Sequence, residues 1–555
     1  MIVPKIVLIT GMLGLLAACG KSDDPAPPTP ATFSYVAASV NGVSNGSFEY
    51  NVSGRPVVRL NFSAPIKRST VAEGVIWREP GGAVVAYQAN YTTGDSVLVL
   101  QPTTTLKGFA RHTLTLSTAL QSTANAALKN TLTFSLNAGI DSTRKFPTIT
   151  DDALLTKVQQ QTFKYFWDFG HPVSGLARER NTSGDIVTSG GSGFGIMAIL
   201  AGIQRGFITK AQGLTRLQTM TSFLKNTAQK YHGAFPHWLN GATGATVPFS
   251  AKDDGADLVE TSYLIAGLLT ARQYFNGADA AETALRNDIN AIWNGVEWSW
   301  FRKNNENVLY WHWSPTNNWD INLPIRGWNE CLITYILAAA STTSTIPKEV
   351  YTAGWASNGS NTFVNGNTYL GIQLPLGPPL GGPLFFAHYS FLGIDPNGLT
   401  DTYANYRTQV TNHSRINYEY CKANPKGYYG YSDSCWGLTA SDIQGGYTAS
   451  SPTNDVGVIA PTAALSSFPF TPAESLAALR FYYYVLGDKL WKDYGFIDAF
   501  SLKDAWFADS FLAIDQGPII VMIENYRSGL LWNLLTGCPE IKAGMKKLGF
   551  TAPYL

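Results

Sequence analysis

The sequence predicts a mainly α protein: a large helical (α/α) toroid preceded by a small all-β sandwich. Three observations carry this expectation. Apolar residues recur at helical spacing from Asp151 almost to the C-terminus. Between residues 33 and 137 the pattern is instead period-2 runs separated by Gly, Pro, Asn and Asp. The helical stretches are long and joined by Gly/Pro/aromatic loops, with no strict internal repeat, which favours a toroid over a simple bundle or a solenoid.

Residues 1–19 read as a targeting segment. Lys5 supplies a positive start and Ile6 to Leu16 an apolar run, too short for the ~20 residues of a membrane-spanning helix. Leu16-Ala17-Ala18-Cys19 resembles a bacterial lipobox. Cleavage is expected before Cys19 and acylation on its thiol, anchoring the protein by lipid in a Gram-negative outer membrane. Residues 20–32 contain GKSDDPAPPTP, a flexible tether.

The sandwich is expected over 33–137. Val58, Leu60 and Phe62 alternate with polar neighbours, as do Leu98 and Leu100, Leu114 and Leu116, and Leu132, Phe134 and Leu136. NFSAPIKRSTV and VLVLQPTTTLKGFARHTLTL resemble bacterial Ig-like modules, which implies a spacer or glycan-binding accessory. Residues 138–150 form a linker. Helices are then expected over 151–168, 194–207, 211–230, 257–275, 281–294, 328–341, 401–423, 471–486, 502–509 and 517–535.

Composition narrows the function. The formal net charge of the 555 residues is +1 and only 14% are charged, so no basic patch is available for nucleic acid. No CxxC, HExxH or EF-hand pattern occurs and the seven histidines are scattered, so a dedicated transition-metal site is not expected. Cys421 and Cys435 bracket a Pro/Gly/Tyr-rich loop and are the pair expected to bridge. Cys331 lies in a helical run and reads as a free buried thiol.

The chemistry concentrates in a few stretches. Asp253 to Phe275 reads DDGADLVETSYLIAGLLTARQYF. Its Asp257 and Glu260 share a helix face, either as a capping box or as acid–base groups. Seven of the fifteen tryptophans lie between Trp293 and Trp328. Their flat faces suit sugar rings, and two or three of them are expected in a cleft. Glu330 opens a helix beside them, where enclosure would raise its pKa. Asp515 precedes an apolar helix as an N-cap or as an ionised base. Gly190-Gly191-Ser192-Gly193-Phe194-Gly195 reads as a tight turn at a cavity rim. His388, in an aromatic run, reads more readily as a core histidine than as a catalyst.

Together SGLARER (174–180), TSGGSGFGIMAILAGIQRGF (188–207), DDGADLVETSYL (253–264), RGWNE (326–330), PLFFAHYSFLGIDP (383–396) and AIDQGPIIVMIENYRSGLLW (513–532) resemble the bacterial "putative glucoamylase" domain family, whose characterised members act on β-1,2-glucan (glycoside hydrolase family 144). The resemblance implies an (α/α)6 toroid over 151–555 and inverting hydrolysis without a cofactor. It makes Glu330 the general acid and Asp515 the base, with Asp253, Asp257 and Glu260 lining the central subsites. Arg326, Trp328, Trp313 and His388 are the further candidates for contact with substrate. The expected partner is an oligo- or polysaccharide, the expected state a monomer. Two alternatives stay open: a non-catalytic glycan-binding lipoprotein, and a polysaccharide lyase using Tyr389 or His388 as base.

Overall fold

The computed structural model describes residues 32–44 and 48–555. The targeting segment, Cys19 and all of the tether but its last residue lie outside the described residues. The chain divides into two compact units, one ending at Ile140 and the other running from Asp141 to Leu555.

The first unit is a sandwich of two four-stranded sheets. One has the order β1 (Tyr35–Val40), β3 (Val58–Phe62), β6 (Val97–Pro102), β5 (Tyr87–Thr92). The other has the order β2 (Phe48–Val52), β8 (Leu132–Ala138), β7 (Arg111–Leu116), β4 (Val75–Arg78). A single turn, α1 (Val71–Gly74), leads into β4. The alternation read from the sequence sets the inner face: Leu60 pairs with Leu98 and Trp77 with Leu114, and all four are fully buried. One pairing departs from the antiparallel expectation, since β2 runs parallel to β8.

The second unit is helical. Its helices are α2 (Asp151–Trp167), α3 (Ser189–Gln204), α4 (Lys210–Asn226), α5 (Leu258–Tyr274), α6 (Ala280–Gly295), α7 (Leu332–Ala340), α8 (Lys348–Val350), α9 (Phe385–His388), α10 (Tyr406–Ala423), α11 (Pro461–Leu465), α12 (Pro472–Arg480), α13 (Gly487–Leu490), α14 (Ala513–Ser528), α15 (Leu530–Thr536) and α16 (Pro539–Leu548). They fall into two sets. α3, α5, α7, α11 and α14 are buried on nearly every side, as helices apolar all round must be. α2, α4, α6 and α10 bury one face each. The inner set forms a succession of neighbours: α14 packs on α3, α3 on α5, α5 on α7. Ser390, just after α9, holds the Ile333 amide of α7. His388 reaches Ser467 beyond α11, and α11 packs on α14.

Glycine sets how closely α3 and α5 approach. A Cβ on Gly193 would lie 2.1 Å from the Tyr263 carbonyl oxygen, and one on Gly267 would lie 2.3 Å from the Gly193 oxygen. The glycine run expected as a tight turn is therefore the first half of α3. Its glycines serve close helix packing.

Two further expectations are corrected. Residues 502–509 are not helical: Phe500–Ser501 pairs with Trp506–Phe507, and Ser501 Oγ closes the turn by bonding the Asp504 carboxylate and amide. Cys421 and Cys435 do not bridge. Both thiols are free and buried, behaving as small apolar groups, and burial pushes both pKa values up. Cys331 is also free and buried.

Candidate active site

The head of α5 organises the site. Asp257 is its N-cap, and Oδ1 accepts the Val259 and Glu260 amides at 3.0 and 2.9 Å. Its other oxygen faces three donors. His237 Nδ1 is at 3.1 Å, Trp311 Nε1 at 3.3 Å and His312 Nε2 at 3.6 Å. An antiparallel pairing of Ala256–Asp257 with His312–Trp313 sets His312 opposite Asp257. His312 Nε2 also lies 3.3 Å from Asp253 Oδ2.

Charge explains this grouping. Burial alone would raise Asp257, but the two imidazoles hold it below the usual carboxylate range. Burial opposes protonation of His237, yet Glu260 and Asp257 raise it to about 9. Asp253 is pushed up to about 6 by burial and by Asp257.

Among the described residues, His237, Asp253 and Asp257 are the group whose donor atoms lie close enough together to hold a metal ion. His312 Nδ1 is buried without a partner. The residues fit an ion-pair network better than a metal centre.

Glu260 points away from Asp257, so the two do not make a capping box. Its Oε2 accepts the Gly190 amide at 2.9 Å and the Thr188 hydroxyl at 3.4 Å, both at the head of α3. Burial raises it to about 7.

Glu330 lies two residues before α7 and is 8% exposed. Burial pushes it up to about 8, with Glu260 and Asp257 adding to the rise. The Tyr263 hydroxyl is buried without a partner, and Glu330 and Glu260 act on it.

Asp515 lies in the first turn of α14, not at its N-cap, which is Leu512. It is 2% exposed. Burial and then Asp498 push its carboxyl upward. Asp498 Oδ2 accepts the Asp442 amide at 2.7 Å. Asp442 is paired at 3.1 Å with Arg180, which also holds Glu179 at 3.0 Å. Tyr389 links the groups: Asp515, Glu260 and Glu330 all act on its phenol. Glu260, Glu330 and Asp515, from three separate parts of the chain, thus all act on the Tyr389 phenol, and the Tyr263 and Tyr389 rings are 5.7 Å apart.

Other candidates lie elsewhere. Trp328 is buried against Trp355, Phe391 and Tyr406. His388 is buried on Ser467 and Phe470, and burial depresses it to about 3. Arg326 is exposed and donates to the Ala353 carbonyl at 2.7 Å. Among the described residues none of the three bonds to the carboxyls. Trp313 is half-buried beside Tyr231, His232 and Trp300, near the His312 side of the site. Trp300, Trp311 and Trp319 are also half-buried, while Trp293 and Trp298 are core.

His237, His312, Arg180, Asp442 and Asp498 escaped the sequence reading. The two histidines offered one signal: each sits beside a tryptophan, in Pro236-His237-Trp238 and Trp311-His312-Trp313.

Residues 322–539 match the family described as "Putative glucoamylase", and residues 36–136 match "Bacterial Ig-like domain". An exo β-1,2-glucooligosaccharide sophorohydrolase (non-reducing end) of Parabacteroides distasonis is 47% identical over 439 residues, 75% of this chain and 61% of that protein. The match thus spans less than two thirds of that curated relative. A glucoamylase-family crystal structure from Bacteroides uniformis is 55% identical with a TM-score of 0.73, covering 74% of this chain and 100% of its own. An endo-β-1,2-glucanase from Chitinophaga pinensis, solved with sophorotriose and glucose, is 52% identical with a TM-score of 0.72, covering 74% and 100%. Resemblance at this identity over complete relatives leaves one conclusion: the chain belongs to the "Putative glucoamylase" family and carries a bacterial Ig-like domain ahead of it.

Proposed function

We propose that the protein is an inverting glycoside hydrolase that cleaves β-1,2-glucan and its sophoro-oligosaccharides on an (α/α)6 toroid. The observation that carries this reading is the convergence of Glu330 and Asp515 on Tyr389. The Parabacteroides and Chitinophaga relatives supply the substrate class. The alternation of fully buried and half-buried helices supports the toroid.

Glu330 is the acid. A carboxyl held up to about 8 carries its proton at neutral pH and gives it to the leaving glycosidic oxygen, directly or through a sugar hydroxyl. Asp515 is the base and takes a proton from the water attacking the opposite face of the ring. Asp253, Asp257 and Glu260 hold sugar hydroxyls in the central subsites, with Trp313 at the aromatic side. The reaction needs no cofactor.

The lyase alternative is less well supported. Neutralising a uronate requires free cations, whereas Arg180 is already shared by Glu179 and Asp442.

We read Cys19 as the lipid anchor of an outer-membrane protein facing the periplasm or cell surface, and the protein as a monomer. Among the described residues no helix is long and apolar enough to cross a membrane.

Incubation with linear β-1,2-glucan, followed by chromatography and polarimetry, tests the reading. Short sophoro-oligosaccharides released with inverted anomeric configuration are expected. An untouched polymer, or an unsaturated chromophore in the products, would sink it.

A further inference from the structure

Phe249 is a ring that the acid–base reading leaves without a part. Among the described residues it is the one phenylalanine or tryptophan that stands exposed, at 49%. A single exposed apolar side chain is ordinary on a protein surface. Phe249 differs in its place and in its mounting.

Its place is the outer end of a line that starts at the floor of the site. The Asp257 side chain is fully buried, and its Oδ2 accepts a hydrogen bond from His237 Nδ1 at 3.1 Å. The His237 side chain is 24% exposed. The Phe249 ring lies on that imidazole, with centroids 4.3 Å apart and planes 30° from parallel. Trp238 backs the same ring at 4.8 Å. Exposure thus rises step by step from Asp257 through His237 to Phe249. A sugar chain held at Asp253 and Asp257 and continuing outward along this line meets the open half of the Phe249 ring.

Its mounting is firm. Trp238 pairs with Val247 across a pair of short strands, and Pro248 restricts the backbone between Val247 and Phe249. The Phe249 amide donates to the Asp253 carbonyl at 2.9 Å, and the Asp253 amide donates to the Ser250 carbonyl at 3.1 Å. Lys252 Nζ pairs with Asp320 at 2.7 Å, and Asn317 Nδ2 donates to the Ala251 carbonyl at 3.2 Å. The loop that carries the ring is therefore the loop that delivers Asp253 to the site. A ring already held in place loses little freedom when a ligand arrives. The ligand chemistry fits as well. A glucan is uncharged and each pyranose offers a flat C–H face, while phenylalanine offers a flat face with no polar tip.

We propose that Phe249 is a substrate-binding residue at the rim: it stacks on a glucosyl unit beyond those held by Asp253 and Asp257, and so sets how tightly longer oligosaccharides are held. This rests on the reading of the protein as a β-1,2-glucan hydrolase.

The competing role is a cover that keeps water off the His237–Asp257 pair. Leucine covers as phenylalanine does but has no flat face; tyrosine keeps the face. The probe is sophorotetraose with sulfur in place of the linking oxygens, which resists hydrolysis. It is titrated calorimetrically into the wild type, Phe249→Tyr, Phe249→Leu and Phe249→Ala, with melting curves to confirm each fold. Binding is expected to weaken about tenfold in Phe249→Leu and Phe249→Ala and to stay within about twofold of the wild type in Phe249→Tyr. Leucine binding as tightly as the wild type, tyrosine binding as weakly as alanine, or no change in any variant overturns the proposal.

Turnover on linear β-1,2-glucan gives the second readout. KM is expected to rise in Phe249→Leu while kcat changes little. A fall in kcat at unchanged KM would mean that the ring acts on His237 and Asp257 rather than on sugar, and overturns the proposal. Wild-type protein that binds the sulfur-linked probe through Phe249 but leaves β-1,2-glucan intact would count against the hydrolase reading alone.

Discussion

Gly190 gives its backbone N–H to Glu260 Oε2 at 2.9 Å, and a Cβ on Gly190 would stand 2.2 Å from that same oxygen. The head of one buried helix thus fixes the carboxyl of another, through the Gly190 main chain and the Thr188 hydroxyl. Gly190→Ala must displace Glu260. Turnover on β-1,2-glucan is expected to fall about tenfold or more, equivalent to ~1.4 kcal/mol in the barrier. Initial rates, with circular dichroism to confirm the fold, check this. Wild-type rates would show that Glu260 can move without consequence.

Removing the acid or the base tests the chemistry directly. Glu330→Gln and Asp515→Asn are each expected to lower kcat at least about a hundredfold with the fold intact. Near-normal turnover in either variant removes that residue from the mechanism.

The pH profile should carry Glu330's signature. Its carboxyl is raised to about 8, so the acid form is present below that value and lost above it. kcat/KM is expected to decline as pH rises through about 8. Stability follows the same group. Its raised pKa favours the folded state at low pH, and that contribution drains away as pH rises from the unfolded value toward about 8. Glu330→Gln has no charge to bury, so its Tm relative to wild type should increase between pH 5 and pH 9. A difference independent of pH would mean that Glu330 is solvated.

Arg326 offers a negative control. Its guanidinium is turned to the Ala353 carbonyl, so Arg326→Ala should leave kcat/KM within about twofold, the effect ordinary for exposed side chains. A large rise in KM would place it in a subsite after all.

Chelation tests the ion-pair reading of His237, His312, Asp253 and Asp257. Prolonged treatment with a strong chelator should leave turnover unchanged, and elemental analysis of the untreated protein should find no stoichiometric transition metal. Activity lost to the chelator and restored by a divalent ion would reverse that reading.

The sequence showed the site where chemistry and local periodicity coincide. Asp257 and Glu260 were legible because an acidic head meets an apolar helix within a few residues. Glycine hid the start of α3, because a run of Gly reads as a turn until its packing partner is known; here the partner is Tyr263. Asp498 and Arg180 were illegible for another reason. Neither stands in a local pattern, and only the tertiary fold brings residue 180 to 442 and 498 to 515. Trp328 and His388 are both buried among aromatic rings, and aromatic density marks a packed core as readily as a sugar platform.

At the Gly193–Gly267 crossing the backbones of α3 and α5 meet directly, with no side chain there to resize. Thr188, Glu260 and Tyr263 are therefore mounted on what amounts to a single stiff plate. Any diversification of chain-length preference among proteins built this way has to arise at the rim, in loops such as the one carrying the half-exposed Phe249 or the one carrying Tyr447, while the floor stays constant.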